Sequence, residues 1–571
     1  MFQLNNDAKR REILAADGNL LIMGGPGSGK TTIALFKAQQ IVESHVLKPY
    51  QKVLFLSFAR ATISRIEEQA KGCISEEVNK RIEINTYHGF IWDVIRHHGY
   101  LINKNPIRIW PPHEANCHLS SIPEEKQAEE KMLQFSENGL LHFDLFADVC
   151  NQLLTSSNAV QNIISSMYPV IILDEFQDTN SDEWQLISTL GAHTTLIALA
   201  DPEQRIYDFR GADPKRIHQF IDRFTPKLFD FGKENNRSNG TDIVKFGNDL
   251  LSGKNKGGEY RNVEVYGYNI LKPPHAHYWL KTAILMEIKK LKERHPTDEW
   301  SLAILVPTNK LMRDVSDYLN AEQIFLKGKK LPSIVHDVAI ETEGPALAAI
   351  FLATLLDDSS TESNVIQALS NHIAGRKKKL SIENGKLVSA INAYLSTGKI
   401  NGRKREACIN DCKDLYSKSR GLIRSGNVIE DWKQVVRLIA SSTTDPFKNV
   451  SSDLLNLRLL RRGSQLQEQL DITWRTSHSY TGAVEAVSSA LIFEHFSMST
   501  RKWNGVNVMT IHRSKGKEFD EVIVYEQTYQ NRIVRDNSNM DQARLNLRVA
   551  VTRAREKALI LTPDWEPCPL L

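Results

Sequence analysis

Gly24-Gly25-Pro26-Gly27-Ser28-Gly29-Lys30-Thr31 constrains this chain more than any other stretch. It has the spacing G-x4-G-K-T and lies between an apolar run, Asn19 to Met23, and a helical pattern from about Thr31. Glycines so placed let successive backbone N–H groups close around phosphates at a helix N-terminus. Lys30 then pairs with the β- and γ-phosphates, and Thr31 holds Mg²⁺. The candidate nucleotide-binding set is Gly25, Gly27, Ser28, Gly29, Lys30, Thr31 and Thr32.

A second element narrows the chemistry. In Val170-Ile171-Ile172-Leu173-Asp174-Glu175-Phe176-Gln177-Asp178 an apolar strand delivers Asp174 to the metal. Glu175 beside it can orient or deprotonate an attacking water. A guanine-specific site would add Asn-Lys-x-Asp; Asn309-Lys310-Leu311-Met312 lacks the Asp.

The chain has 571 residues, too many for one hydrophobic core, so several domains are expected. A net charge of +4 means that any polyanion site is local rather than a property of the whole surface. The six cysteines, at 73, 117, 150, 408, 412 and 568, include no CxxC pair. Cys408 and Cys412 would sit one helical turn apart with no second ligand pair nearby, so reduced thiols rather than zinc are expected. No signal-peptide shape and no apolar run near the roughly 20 residues of a membrane span occur, so a soluble, cytoplasmic protein is expected.

Apolar runs alternate with helical patterns at Val53–Phe58, Val170–Leu173 and Thr195–Leu199, the α/β signature of a parallel sheet. A second such stretch begins near Phe229, with strands expected at Leu302–Val306, Val506–Thr510, Val522–Tyr525 and Ala558–Leu561. Between about 365 and 495 the pattern is helical and basic, as in Arg376-Lys377-Lys378-Lys379 and Arg458 to Arg462. These runs could grip duplex phosphates, or simply form a solvated helix face.

At this point the chain resembles the superfamily 1 helicases of the UvrD/Rep/PcrA group. Asp174-Glu-Phe-Gln-Asp178 is similar to that family's Walker B variant, and Asp201-Pro-Glu-Gln-Arg-Ile-Tyr-Asp-Phe-Arg-Gly-Ala212 to its next motif. Asn235-Asn236-Arg237-Ser238, Thr510-Ile-His-Arg-Ser-Lys-Gly-Lys-Glu-Phe519 and Val549-Ala-Val-Thr-Arg-Ala-Arg555 complete the ordered set. The resemblance implies an α/β fold of two RecA-like P-loop lobes with mostly helical inserted accessory domains. Residues 1–91 and 166–228 would form the first lobe with the ATP site, and 92–165 a reduced helical insertion in it. Residues 229–365 and 496–571 would form the second lobe, and 366–495 its basic helical insertion.

The same likeness implies roles. Gln204 would sense the γ-phosphate, Arg237 and Arg553 would act as arginine fingers from the second lobe, and Glu518 would contact the ribose. Lys30, Asp174, Glu175, Gln204, Arg237 and Arg553 make the catalytic set, and Glu518 joins the nucleotide-binding one. Phe58, Tyr87, His88, Tyr207, Phe209 and His512 fall in motifs that touch DNA in the family. Stacking on aromatics suits a motor indifferent to sequence, although any one of these rings could be core instead. The implied activity is that of an ATP- and Mg²⁺-dependent helicase or translocase, moving 3′→5′ on single-stranded DNA and acting at duplex junctions. A nucleic-acid-responsive ATPase with little unwinding is the other reading.

Three departures are visible. The family's adenine-reading Gln falls at about Lys9 and its stacking Tyr at Asn236, which implies weak base discrimination, since Lys⁺ can only donate. The chain stops shortly beyond Arg553, and the segment between His88 and Asp174 is short. Short UvrD-like helicases of phage-defence systems such as Gabija look like this, so a protein partner, such as a nuclease, is expected in DNA repair or antiviral defence.

Overall fold

The computed structural model describes residues 8–44, 46–58, 66, 74–119, 122–202, 213, 215–232, 238, 240–269, 276–295, 299–324, 330–338, 343–376, 381–442, 444–455, 465–496, 503–535 and 539–571. These pack into two compact units, one of residues 1–95, 147–340 and 499–571, the other of residues 96–146 and 341–498.

The first unit contains two six-stranded sheets. Strands β1 (Leu20–Met23), β2 (Val53–Ser57), β3 (Ile82–Thr86), β4 (Val170–Leu173), β5 (Thr195–Ala200) and β6 (Lys227–Asp230) lie in the order β3-β2-β4-β5-β1-β6. Strands β7 (Val263–Tyr268), β8 (Ser301–Val306), β9 (His336–Val338), β10 (Gly505–Thr510), β11 (Phe519–Tyr525) and β12 (Ala554–Pro563) lie in the order β9-β10-β8-β11-β12-β7. Every pairing in both sheets is parallel. Helices cover the faces, and inner strands such as Val170-Ile171-Ile172-Leu173 are buried along their whole length. Continuous apolar runs are what a parallel sheet covered on both faces requires. This is the α/β, two-lobed RecA-like fold expected.

The packing boundaries differ from those read off the sequence. Phe229 belongs to β6, paired with β1, and so to the first sheet. Helices Phe146–Ser156 and Asn158–Met167 sit against the first lobe rather than in an insertion: Thr189 Oγ1 donates to Asn151 at 2.6 Å, and Lys52 N to Met167 O at 2.9 Å. Helix Glu343–Leu356 lies in the second unit, ahead of the expected boundary at 366. Its run Ala348 to Leu356 is buried except for half-buried Ile350, which suits the central helix of a bundle rather than an amphipathic cover.

The second unit is mostly helical, with one short strand pair, Arg108–Ile109 on Leu140–Leu141, and its main core runs from Ala348 to Ala490 and includes Cys408, Cys412, Trp432 and Tyr480. Arg376, the first residue of the basic run, is turned inward: with buried His372 it bonds Asp453, at 2.6 Å from Nε. It therefore does not extend a phosphate-facing stripe; Lys377, Lys378, Lys379 and Arg458 to Arg462 lie outside the described residues.

A buried carboxylate pair in the second lobe yields a stability prediction. Glu287, on helix Ala276–Arg294, accepts from Lys290 at 2.9 Å and Lys557 at 3.1 Å, while Glu521 on β11 accepts from Arg294. Their second oxygens are buried, and the two carboxyls face each other. Glu264 and Glu556 add negative charge through Lys557 and Arg294. Burial and Glu287 push Glu521 up to about 7. Burial acts on Glu287 too, but Lys290 and Lys557 hold it below the ordinary carboxylate value. The pair therefore keeps one proton that the unfolded chain, with Glu near 4.5, releases. That contribution is complete below the unfolded value and is lost as pH rises through the folded one. Glu521→Gln supplies a permanent N–H donor, so its Tm should fall less than the wild type's between about pH 5 and pH 8. An unchanged pH profile in differential scanning calorimetry would refute the shared proton.

Candidate active site

The phosphate loop follows β1 and runs straight into helix Lys30–Glu43. Gly27 and Gly29 adopt φ of 76° and 91°, the left-handed conformation that glycine tolerates. Gly24 is held by space: a Cβ there would lie 2.8 Å from Ser28 Oγ and 3.0 Å from Phe231 Cβ. Lys30 Nζ donates to Gly24 O at 2.5 Å and Gly25 O at 3.1 Å, so the ammonium lies inside the loop. Thr31 and Thr32 follow in the first helical turn, half-buried.

Asp174 directly follows β4, with its N–H on Leu56 O at 2.8 Å and its carboxylate accepting from Ser57 Oγ at 3.4 Å. Glu175 has φ of 53°, which a non-glycine residue adopts at a cost of about 1–3 kcal/mol. Gln177 Nε2 donates to Glu175 Oε2 at 2.6 Å, and Gln177 Oε1 accepts from Asp201 N at 3.0 Å. The Gln177 side chain thus ties β5's end to the Glu175 carboxylate.

The second lobe supplies cations. Lys515, buried after β10, makes an ion pair with Asp178 and stands 3.9 Å from Glu175. Arg553, 2% exposed, is held by Nε on Val549 O at 3.0 Å. Burial by itself would raise Glu175, but Lys515, Lys30, the Gln177 hydrogen bond and Arg553 together hold it below the ordinary carboxylate value. Arg548, 1% exposed, bonds Asn248 at 3.2 Å, and its guanidinium stands 3.9 Å from Asp201.

Glu518 is mostly buried and accepts from Arg555 Nε at 3.5 Å. His512 is half-buried, and burial, then Arg535, lower its pKa. Phe58 and His88 are half-buried. Tyr87 departs from its expected place. It is 2% exposed, and one ring face is covered by Phe58, with centroids 4.2 Å apart and planes at 17°. No base can stack on it in this conformation, because the side chain is almost wholly buried behind Phe58. Lys9, at the expected base-reading position, donates to the backbone carbonyl of Asp230. Gln204, Tyr207, Phe209, Asn236 and Arg237 lie outside the described residues.

Lys515 and Arg548 were not singled out in the sequence. Lys515 sits between His512 and Glu518 in a motif already quoted, but Arg513 and Lys517 stand in the same stretch, so nothing in the sequence set it apart. Arg548 had no signal either.

Fold and site define a P-loop ATPase with two lobes around one cleft, and sequence comparison gives its family. Residues 5–138 and 122–225 match the UvrD/REP helicase N-terminal domain, and residues 404–563 the UvrD-like helicase C-terminal domain. The chain belongs to the UvrD/REP family of superfamily 1 ATP-dependent DNA helicases. Among similar proteins, YjcD of Bacillus subtilis (strain 168) is 21% identical, over 98% of this chain and 79% of that protein. The ATP-dependent DNA helicase PcrA of Staphylococcus aureus (strain Mu50) is 20% identical, over 96% of this chain and 82% of PcrA. DNA helicase II of Escherichia coli (strain K12) is 22% identical, over 44% of this chain and 40% of its own length. No helix among the described residues is long and apolar enough to cross a membrane.

Proposed function

We propose that this chain converts ATP hydrolysis between its two sheets into 3′→5′ movement on single-stranded DNA, separating strands at duplex junctions. The observation carrying this reading is the reach of the second lobe into the hydrolytic centre: Lys515 pairs with Asp178 beside Glu175. Lobe movement and hydrolysis are then coupled, since separating the lobes removes the cation that helps keep Glu175 ionised.

The roles follow residue by residue. Gly25, Gly27, Ser28 and Gly29 present backbone N–H groups to the phosphates, and Lys30 neutralises their charge. Thr31 and Asp174 offer hard oxygen donors, the kind that Mg²⁺ takes. Bound there, Mg²⁺ would offset the negative charge that develops on the transferring phosphate. Glu175, ionised and aimed by Gln177, takes the proton of the attacking water. Gln204, Arg237 and Arg553 complete the transition-state contacts, Glu518 holds the ribose, and Phe58, His88, Tyr207, Phe209 and His512 line the strand. We assign the first lobe to residues 8–95 and 147–230, the second to 231–340 and 499–571, and the remainder to accessory segments. The setting that the likeness suggests is repair or phage defence beside a nuclease; recovery of a nuclease with the protein from its native host checks this.

Mg²⁺-dependent ATP turnover should rise when single-stranded DNA is added, and a duplex with a 3′ tail should be displaced in preference to one with a 5′ tail. No stimulation by any oligonucleotide would overturn the motor reading. Stimulation without displacement would instead mark a DNA-responsive ATPase that signals to a partner.

A further inference from the structure

The ends of β3, β2 and β4 lie side by side, with Ser57 opposite Thr86 and Leu56 opposite Leu173. Asp174 therefore lies level with Ser57 and Thr86, and Phe58 and Tyr87 come one residue further along, so an aromatic pair follows the row that carries the Walker B carboxylate. Ser57 Oγ, between them, already donates to Asp174 at 3.4 Å.

Within the pair the two rings differ in role. Phe58 is half-buried and stacked on Tyr87 by one ring face. Tyr87 is 2% exposed, and its hydroxyl is buried with no hydrogen-bond partner. Burial, then Glu183, Asp174 and Asp178, raise its pKa, which keeps the phenol protonated and places it among acidic groups. A buried hydroxyl left unpaired is destabilising, and Phe would fill the same space without that cost. A donor held beside carboxylates in this way is built for an acceptor that arrives with the nucleotide, namely a water in the hydration shell around Asp174.

We propose that Tyr87 is a positioning residue linking strand occupancy to hydrolysis: a base stacked on Phe58 fixes the Phe58–Tyr87 pair, and the Tyr87 hydroxyl then donates to a water at Asp174. This rests on the assignment of Phe58 to the strand site. It differs from the sequence expectation for Tyr87, because the phenol serves the ATP side of the sheet and only its neighbour meets DNA. No bond is made or broken at Tyr87; it orders a water at Asp174, while Glu175 remains the group that receives the attacking water's proton.

Tyr87→Phe tests this cleanly, because it keeps the stack and removes one oxygen. The variant should bind single-stranded DNA and nucleotide as the wild type does and melt no lower. Its ratio of DNA-stimulated to basal turnover should fall about tenfold, the weight of one hydrogen bond to a charged site. Its half-saturating Mg²⁺ concentration should rise as well, a readout that loss of packing alone would not move. Phe58→Ala should lose strand affinity and stimulation together. A stimulated wild type with an equally stimulated Tyr87→Phe variant and unchanged Mg²⁺ dependence would overturn the role of Tyr87 alone. A wild type that DNA does not stimulate would overturn both this role and the motor reading.

Discussion

Glu175→Gln should lower the maximal ATPase rate by about 10²–10⁴-fold while ATP still binds, the weight of a lost general base. The substitution keeps size and shape, so the left-handed turn at φ 53° and the Gln177 contact can both persist. What it removes is the negative charge that Lys515, Lys30 and Arg553 stabilise. The grip on phosphates belongs to Lys30 and the loop's backbone, untouched by the change, so binding of a fluorescent ATP analogue should match the wild type. Lys30→Ala should differ in losing binding as well as turnover. Turnover of Glu175→Gln within tenfold of the wild type would show that another group accepts the proton.

Arg553→Ala should be at least as damaging, lowering kcat by about 10³–10⁵-fold, the range for an arginine that stabilises a transferring phosphoryl group. Arg553 is buried, its Nε is fixed on Val549 O at 3.0 Å, and its charge already reaches Glu175 across the lobes. A fixed planar fork presents two donors at once, whereas a lysine offers a point charge on a flexible stem. Arg553→Lys should therefore recover little of the loss. Circular dichroism and Tm measured alongside separate chemistry from folding. A stable, nucleotide-binding Arg553→Ala protein with near-normal kcat would remove Arg553 from the hydrolytic site.

The strands show which part of the fold can be read in sequence. The eight inner strands were legible as apolar runs, from Asn19–Met23 to Ala558–Leu561. Strands β3, β6, β7 and β9 were not, and these are the four edges of the two sheets. An inner strand of a parallel sheet is buried on both faces and reads as continuous Val, Ile and Leu. An edge strand is not: Lys227–Asp230 buries one of its four residues, and Val263–Tyr268 leaves Glu264, Val265, Tyr266 and Gly267 exposed. The boundaries shifted for a related reason, since where a helix docks depends on partners such as Asn151 and Thr189, far apart in the chain.

By itself the sequence determined the phosphate loop, the Asp174-Glu175 pair and the helicase family. Each is written in a contiguous run whose backbone conformation and neighbours are local, as at Gly27, Gly29 and Lys30. The tertiary structure alone decided which distant charges meet: Lys515 reaches Asp178 across 337 positions, and Arg548 approaches Asp201 from a helix of the other lobe. It also decided that Tyr87 turns inward behind Phe58. A residue's type and spacing state what chemistry it can do, but its partners are set by how the sheets pack, because Coulomb and hydrogen-bond energies depend on separation in space.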